Sequence, residues 1–136
     1  MKFKTLTGAV RTIPKAKNYL IDWEGKSRSQ IQKATKDFLK DYWGKHVVFE
    51  EFPVAGTKMS LDFYNANKKI AIEVQGQQHT KYTPFFHGNN KYNYINQLRR
   101  DQEKQNFCEI NDIQLVEIYS TDELTKDFFK KLGVLL

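Results

Sequence analysis

One stretch constrains this chain more than any other: residues 59–79, MSLDFYNANKKIAIEVQGQQH. It holds two alternating runs separated by a turn. In residues 59–64, Leu61 and Phe63 fall on one side, and Ser60, Asp62 and Tyr64 on the other. In residues 70–75, Ile70, Ile72 and Val74 oppose Ala71, Glu73 and Gln75. Such period-two alternation marks strands with one buried face. The intervening Asn65-Ala66-Asn67-Lys68-Lys69 has turn chemistry, its two asparagines tolerating positive φ. A turn centred on Asn67-Lys68 sets Asp62 opposite Glu73 in an antiparallel hairpin. Directly opposed side chains have Cβ atoms roughly 5 Å apart, and like charges there are destabilising. A cation between them removes the conflict, so the hairpin predicts a divalent metal site.

The elements around it follow from pattern. Ser27-Arg28-Ser29-Gln30 has capping-box spacing, and a helix follows to about Trp43, where Gly44 closes it. Ile31, Ala34, Phe38 and Tyr42 form its expected buried stripe, with Lys33, Lys36 and Lys40 off it. Residues 47–52 read as a strand leading into the Pro53-Val54-Ala55-Gly56 turn and pairing with 59–64. In that strand Glu50 and Glu51 point to opposite faces, so at most one joins the carboxylates. Residues 91–110 read as a long helix. Its apolar positions Tyr94, Ile95 and Leu98 resume only at Phe107, Cys108 and Ile110. Between them the polar run RRDQEKQN places Asp101 and Gln105 on the stripe, which predicts a wet or metal-bearing cleft. Residues 113–119 read as a buried strand. Ser120-Thr121-Asp122-Glu123 again has capping-box spacing, ahead of a short helix carrying Leu124, Phe128 and Leu132. The order α-β-β-β-α-β-α predicts a mixed α/β domain.

Residues 76–90, GQQHTKYTPFFHGNN, show no period. A connection this long inside a compact domain tends to be functional or disordered. Its aromatic and basic residues suit base stacking or groove insertion, while Phe85 and Phe86 equally suit a small satellite core.

Charge then bears on partners. The chain has 136 residues and a formal net charge of +6. That length suits one domain, and the excess of lysine and arginine favours a polyanionic partner. Residues 1–26 are the most basic segment, with Lys2, Lys4, Arg11, Lys15, Lys17 and Lys26 against Asp22 and Glu24. They read either as an arm lying along phosphates or as a solvated N-terminus, ahead of a single domain at 27–136. A single cysteine, Cys108, excludes an intramolecular disulfide and multi-cysteine zinc sites, and suits a buried apolar position. No run is apolar enough for a membrane span or a secretory signal, so a cytoplasmic location is expected.

The residues on the hairpin face match what phosphodiester hydrolysis needs. Mg²⁺ binds through one or two carboxylates, with waters and substrate phosphate completing its shell. Asp62 and Glu73 supply the carboxylates, and the carbonyl of Val74 is a third candidate ligand. Gln75, on the Glu73 face, suits orientation of a water but carries no charge.

Asp62 followed by Glu73-Val74-Gln75 resembles the PD-(D/E)XK nuclease pattern in its Glu-x-Gln form, with Ser60-Leu61 where a Pro leads that motif. LDFYNANKKIAIEVQGQQH followed by RRDQEK is similar to the very-short-patch-repair endonuclease branch and its phage homing endonuclease relatives. The resemblance covers roughly residues 27–119 and implies a restriction-endonuclease-like mixed sheet flanked by helices. It also implies a Mg²⁺- or Mn²⁺-dependent endonuclease acting on double-stranded DNA as a monomer or homodimer, in the host cytoplasm if phage-encoded. His79 and Asp101 are the positions that fit the branch's histidine and helix aspartate, beside Asp62, Glu73 and Gln75 as catalytic residues. A first-helix glutamate common in the branch is not evident, Gln30 standing nearest.

His79 suits general acid–base work near neutral pH. His46 and His87 read as structural. Lys15, Lys17, Arg28, Lys81, Tyr82, Arg99, Arg100 and Lys104 are the candidate nucleic-acid contacts. Three other readings stay open: a structure-specific nuclease acting on junctions or mismatches, a DNA-binding module on a decayed nuclease fold, and an RNA nuclease or binder. Gln75 in the usual lysine position motivates the second.

Overall fold

The computed structural model describes residues 1–76 and 91–136. Among the described residues six strands form two sheets. A small antiparallel pair joins β1 (Lys2–Lys4) to β2 (Val10–Thr12). The main sheet has the order β3 (Val48–Pro53), β4 (Ser60–Asn65), β5 (Ile70–Gln75), β6 (Gln114–Tyr119). Its first three strands are antiparallel neighbours, and β5 pairs with β6 in parallel. A parallel pair needs a crossover, and α2 (Lys91–Ile110) lies between them in the chain. With α1 (Gln30–Trp43) before β3 and α3 (Lys126–Lys131) after β6, the order from α1 onward is the expected α-β-β-β-α-β-α.

Helices cover both faces of the sheet. Leu39 and Trp43 of α1 and Phe129 of α3 pack with Phe63, Ile70, Ile72, Val116 and Ile118. On the other face Phe107 and Cys108 of α2 pack with Phe52, Leu61, Tyr64 and Ala71. The β1–β2 hairpin joins that second cluster: Phe3 meets Phe52, Tyr64 and Phe107 with ring centroids 5.6, 6.0 and 5.8 Å away. Residues 1–26 are therefore not a free arm, because Phe3 and Ile13 are part of the core. Among the described residues no helix is long and apolar enough to cross a membrane.

The predicted β-hairpin forms in the predicted register, Phe63 opposite Ile72 and Asn65 opposite Ile70. Its turn differs in chemistry. Positive φ falls on Lys69 (55°), not on an asparagine. The asparagines act through their side chains: Asn65 Oδ1 accepts from Lys68 N at 3.0 Å and Asn67 Oδ1 from Val47 N at 2.6 Å. Asn65 Nδ2 also meets His46 Nδ1 at 3.0 Å, the structural role expected of that histidine.

Three local expectations shift. The cap of α1 is Ser29, whose Oγ accepts from Gln32 N at 3.2 Å; the Ser27 hydroxyl instead donates to Glu50 at 2.7 Å. The buried stripe of α1 is Gln32, Thr35, Lys36, Leu39 and Trp43, leaving Ala34 and Tyr42 exposed. Three of its members are polar, so an apolar periodicity could not find it. The cap of α3 is Thr125, not Ser120, whose hydroxyl donates to Gly76 O. Phe129, not Phe128, is the buried member of that helix.

Strand alternation also breaks once. Leu61 and Phe63, two residues apart, join different clusters, while Phe49 and Phe52, three apart, share one. The β3–β4 ladder has no Glu51–Asp62 pair, and Glu51 holds a left-handed backbone at φ 54°. That kink reverses which side the following residues face.

Candidate metal centre

The kink and the hairpin meet at the site. Asp62 and Glu73 are buried, 7% and 3% exposed, in the two central strands. They lie one step beyond the last paired residues of β4 and β5, Phe63 and Ile72. Side chains take over from the ladder there. Asp62 N donates to Glu73 Oε2 at 2.7 Å, and Val74 N donates to Asp62 Oδ2 at 2.9 Å. Each carboxylate is thus held by the strand that carries the other. Among the described residues the backbone engages neither Asp62 Oδ1 nor Glu73 Oε1.

The electrostatics follow from this burial. Burial first, and then the Asp62 charge, pushes the Glu73 carboxyl up to about 7. Burial likewise raises Asp62, against the opposing pull of the Val74 N–H and the Lys104 charge. Two carboxylates this close titrate as a pair. A pair held so far from its ordinary range is a feature of functional sites as well as of structural ion networks.

The compensating charge comes from α2. Lys104 Nζ lies 2.5 Å from Glu73 Oε1. The sequence places Lys104 among phosphate contacts; in the structure it is tied into the carboxylate pair. Asp101 is half-buried one turn before it, and its charge contributes to raising the Tyr119 phenol. Gln105, the other residue expected on this face, is exposed. Phe107 and Cys108 anchor the helix beside the site, and burial pushes the Cys108 thiol up to about 12, which keeps it protonated. Ile95 and Leu98, expected on the buried stripe, are 56% and 39% exposed.

β6 adds two residues that the sequence reading missed. Glu117 pairs with Glu73 in the parallel ladder and Tyr119 with Gln75. The Tyr119 hydroxyl donates to Glu117, and burial together with that bond raises the phenol. The signal was alternation in residues 115–119, which sets Leu115, Glu117 and Tyr119 on the α2 side of the sheet.

On the other flank the kink at Glu51 gathers a polar network. Glu50 and Glu51 do not face apart: Gln32 Nε2 donates to Glu50 Oε2 at 2.8 Å and to Glu51 Oε1 at 3.0 Å. Ser60 Oγ donates to Glu51 Oε2 at 3.1 Å, and Arg28 lies 3.3 Å from the same oxygen. Lys36, expected on the surface, is wholly buried and donates to Glu50 Oε1, Asp22 O and Lys26 O at 2.8, 3.0 and 3.2 Å. The charge of Glu51 contributes to raising Asp62, so this network borders the carboxylate pair.

The remaining candidates divide. Arg28 faces this network, and Val74 donates its N–H to Asp62. Gln75 is half-buried beside Glu73. Lys15, Lys17, Arg99 and Arg100 are exposed, Arg99 lying 4.0 Å from Glu103 one turn away. His79, Lys81, Tyr82, Phe85, Phe86 and His87 lie outside the described residues. Among the described residues no three His, Cys, Asp or Glu side chains gather into a metal cage. Two carboxylate oxygens nevertheless suit Mg²⁺, which keeps several waters and takes few protein ligands.

Comparison with known proteins adds viral relatives. The chain is 32% identical over 108 residues to Uncharacterized protein 307L of Invertebrate iridescent virus 6, covering 75% of this chain and 49% of that one. It is 33% identical over 73 residues to Uncharacterized protein 033L of Invertebrate iridescent virus 3, covering 54% and 37%. It is 32% identical over 80 residues to Uncharacterized protein 094L of Frog virus 3 (isolate Goorha), covering 59% and 52%. The chain therefore spans about half the length or less of these relatives. No family model matches it, and no solved structure does.

Proposed function

We propose that the chain is a Mg²⁺-dependent endonuclease of the PD-(D/E)XK type, hydrolysing phosphodiester bonds in double-stranded DNA. One observation carries this reading. Asp62 and Glu73 are buried on adjacent central strands, each with one oxygen bound by the other strand's backbone, and the second oxygen of Glu73 already faces the Lys104 ammonium. The mixed four-stranded sheet, covered by α1 on one face and α2 on the other, is compatible with the restriction-endonuclease-like fold that the motif implies.

Asp62 Oδ1 and Glu73 Oε1 are the oxygens that would hold the ion. When bound there, Mg²⁺ would supply Lewis-acid polarisation of a phosphoryl group and an acidified water. The chain's own groups prepare the site. The Asp62 and Val74 N–H groups fix both carboxylates, so the negative charge is positioned before the ion arrives. Gln75 orients water by hydrogen bonding, without charge. Exposed Arg99 and Arg100 on α2, and Arg28 at the opposite flank, suit contacts with the DNA backbone.

The test is nicking of supercoiled plasmid in Mg²⁺ by the native, Asp62→Ala and Glu73→Ala proteins. Each substitution is expected to lower the rate by roughly 10²–10³-fold or more, the cost of removing one electrostatic element from a phosphoryl-transfer site. Equal nicking by all three proteins refutes the assignment. Gln75 favours a second reading, a DNA-binding module that has lost turnover. That reading predicts Mg²⁺-independent DNA binding and no cleavage by any of the three.

A further inference from the structure

The site contains a cation already, and its setting differs from that of the other buried lysine. Lys36 is 0% exposed and its ammonium has three acceptors: Glu50 Oε1 and two backbone carbonyls. Its position is fixed. Lys104 is 20% exposed, and among the described residues its ammonium has the single acceptor Glu73 Oε1. It stands at the mouth of the site on a flexible four-carbon stem. Its helix is pinned close by through Phe107 and Cys108, so the ammonium can leave without moving the backbone.

The oxygen it occupies is one of the two left for an ion. Glu73 Oε2 and Asp62 Oδ2 are taken by backbone N–H groups. Lys104 therefore sits on Oε1, beside Oδ1. A divalent ion arriving there meets an ammonium on its own ligand, and the two positive charges repel at close range. Gln75, the next residue on the Glu73 face, offers no charge of its own.

We propose that Lys104 is an exchangeable counter-ion of the Asp62–Glu73 pair, displaced from Glu73 when the divalent ion binds and released into the cleft toward the phosphate. This rests on the metal centre proposed above. It brings a positive charge from the crossover helix to a strand face that lacks one.

Two measurements test it. In the native protein, Lys104 is acetylated by an N-hydroxysuccinimide ester and quantified by mass spectrometry, in EDTA and in saturating Mg²⁺. Lys104 labelling is expected to rise several-fold with Mg²⁺, while Lys36 stays unlabelled in both. In parallel, Mn²⁺ titration calorimetry at pH 8.5, where Glu73 is ionised, compares native protein with Lys104→Met and Asp62→Ala. Lys104→Met is expected to bind about tenfold more tightly, since a charge-assisted hydrogen bond of about 1.5 kcal/mol no longer has to be broken. Asp62-dependent Mn²⁺ binding with unchanged Lys104 labelling overturns the exchange and leaves the metal centre standing. No Mn²⁺ binding by the native protein overturns both. The labelling needs no variant, so it decides the matter even if Lys104→Met fails to fold.

Discussion

Raising the pH on the metal-free protein is expected to destabilise it, and Glu73→Gln is expected to abolish much of that effect. Folding raises the Glu73 carboxyl from 4.5 to about 7 through burial and the neighbouring Asp62. A group with a raised folded pKa takes up a proton on folding. Its contribution is complete below the unfolded value and is lost as pH rises through the folded one. The window is therefore pH 4.5 to about 7. At 1.36 kcal/mol per pH unit, that interval amounts to about 3 kcal/mol. For a domain of this size, about 3 kcal/mol shifts the melting temperature by roughly 10 °C. Gln is the neutral isostere of protonated Glu73. In EDTA the native and Glu73→Gln proteins should melt together at pH 5, and the variant should melt roughly 10 °C higher at pH 8.5. Mg²⁺ should restore the native protein at pH 8.5 and leave the variant unmoved. Circular dichroism melts at the two pH values, with and without Mg²⁺, make the comparison. Parallel pH profiles for both proteins refute the reasoning, because the buried carboxylate pair would then not govern the titration.

Two further substitutions probe the scaffold. Lys36→Met should cost roughly 3–5 kcal/mol in urea unfolding, because it leaves the Glu50 charge without its ion-pair partner; a loss under about 1 kcal/mol would mean the contact is no stronger than a surface pair. Lys69 is exposed at φ 55°, so Lys69→Gly should relieve the left-handed strain and stabilise by about 1 kcal/mol, and a destabilised variant would contradict that.

The parts of this fold that were legible in the sequence are those set by local periodicity. The hairpin register follows from its two alternating runs and the turn between them. The bounds of α2 and the α-β-β-β-α-β-α order follow in the same way. What escaped was set by contacts between distant segments. Gln32 and Lys36 are buried because Glu50 and Glu51 receive their hydrogen bonds, which hydrophobic periodicity cannot register. Both glutamates join one network because Glu51 adopts φ 54°, a conformation that nothing in VFEEFP announces. The caps of α1 and α3 moved because other groups had already engaged Ser27 and Ser120. Lys104 pairs with Glu73 across 31 residues, and only the crossover of α2 brings the two together. The carboxylate pair itself was readable, since it depends only on which residues share a face of one hairpin. Its counter-charge was not.

The most direct test is a crystal structure of the protein soaked in Mn²⁺, read by anomalous scattering. An anomalous peak between Asp62 and Glu73, with Oδ1 and Oε1 each about 2.1 Å away, is the predicted result. A protein that crystallises in the same fold and shows no peak there, or shows the ion bound elsewhere, contradicts the central claim.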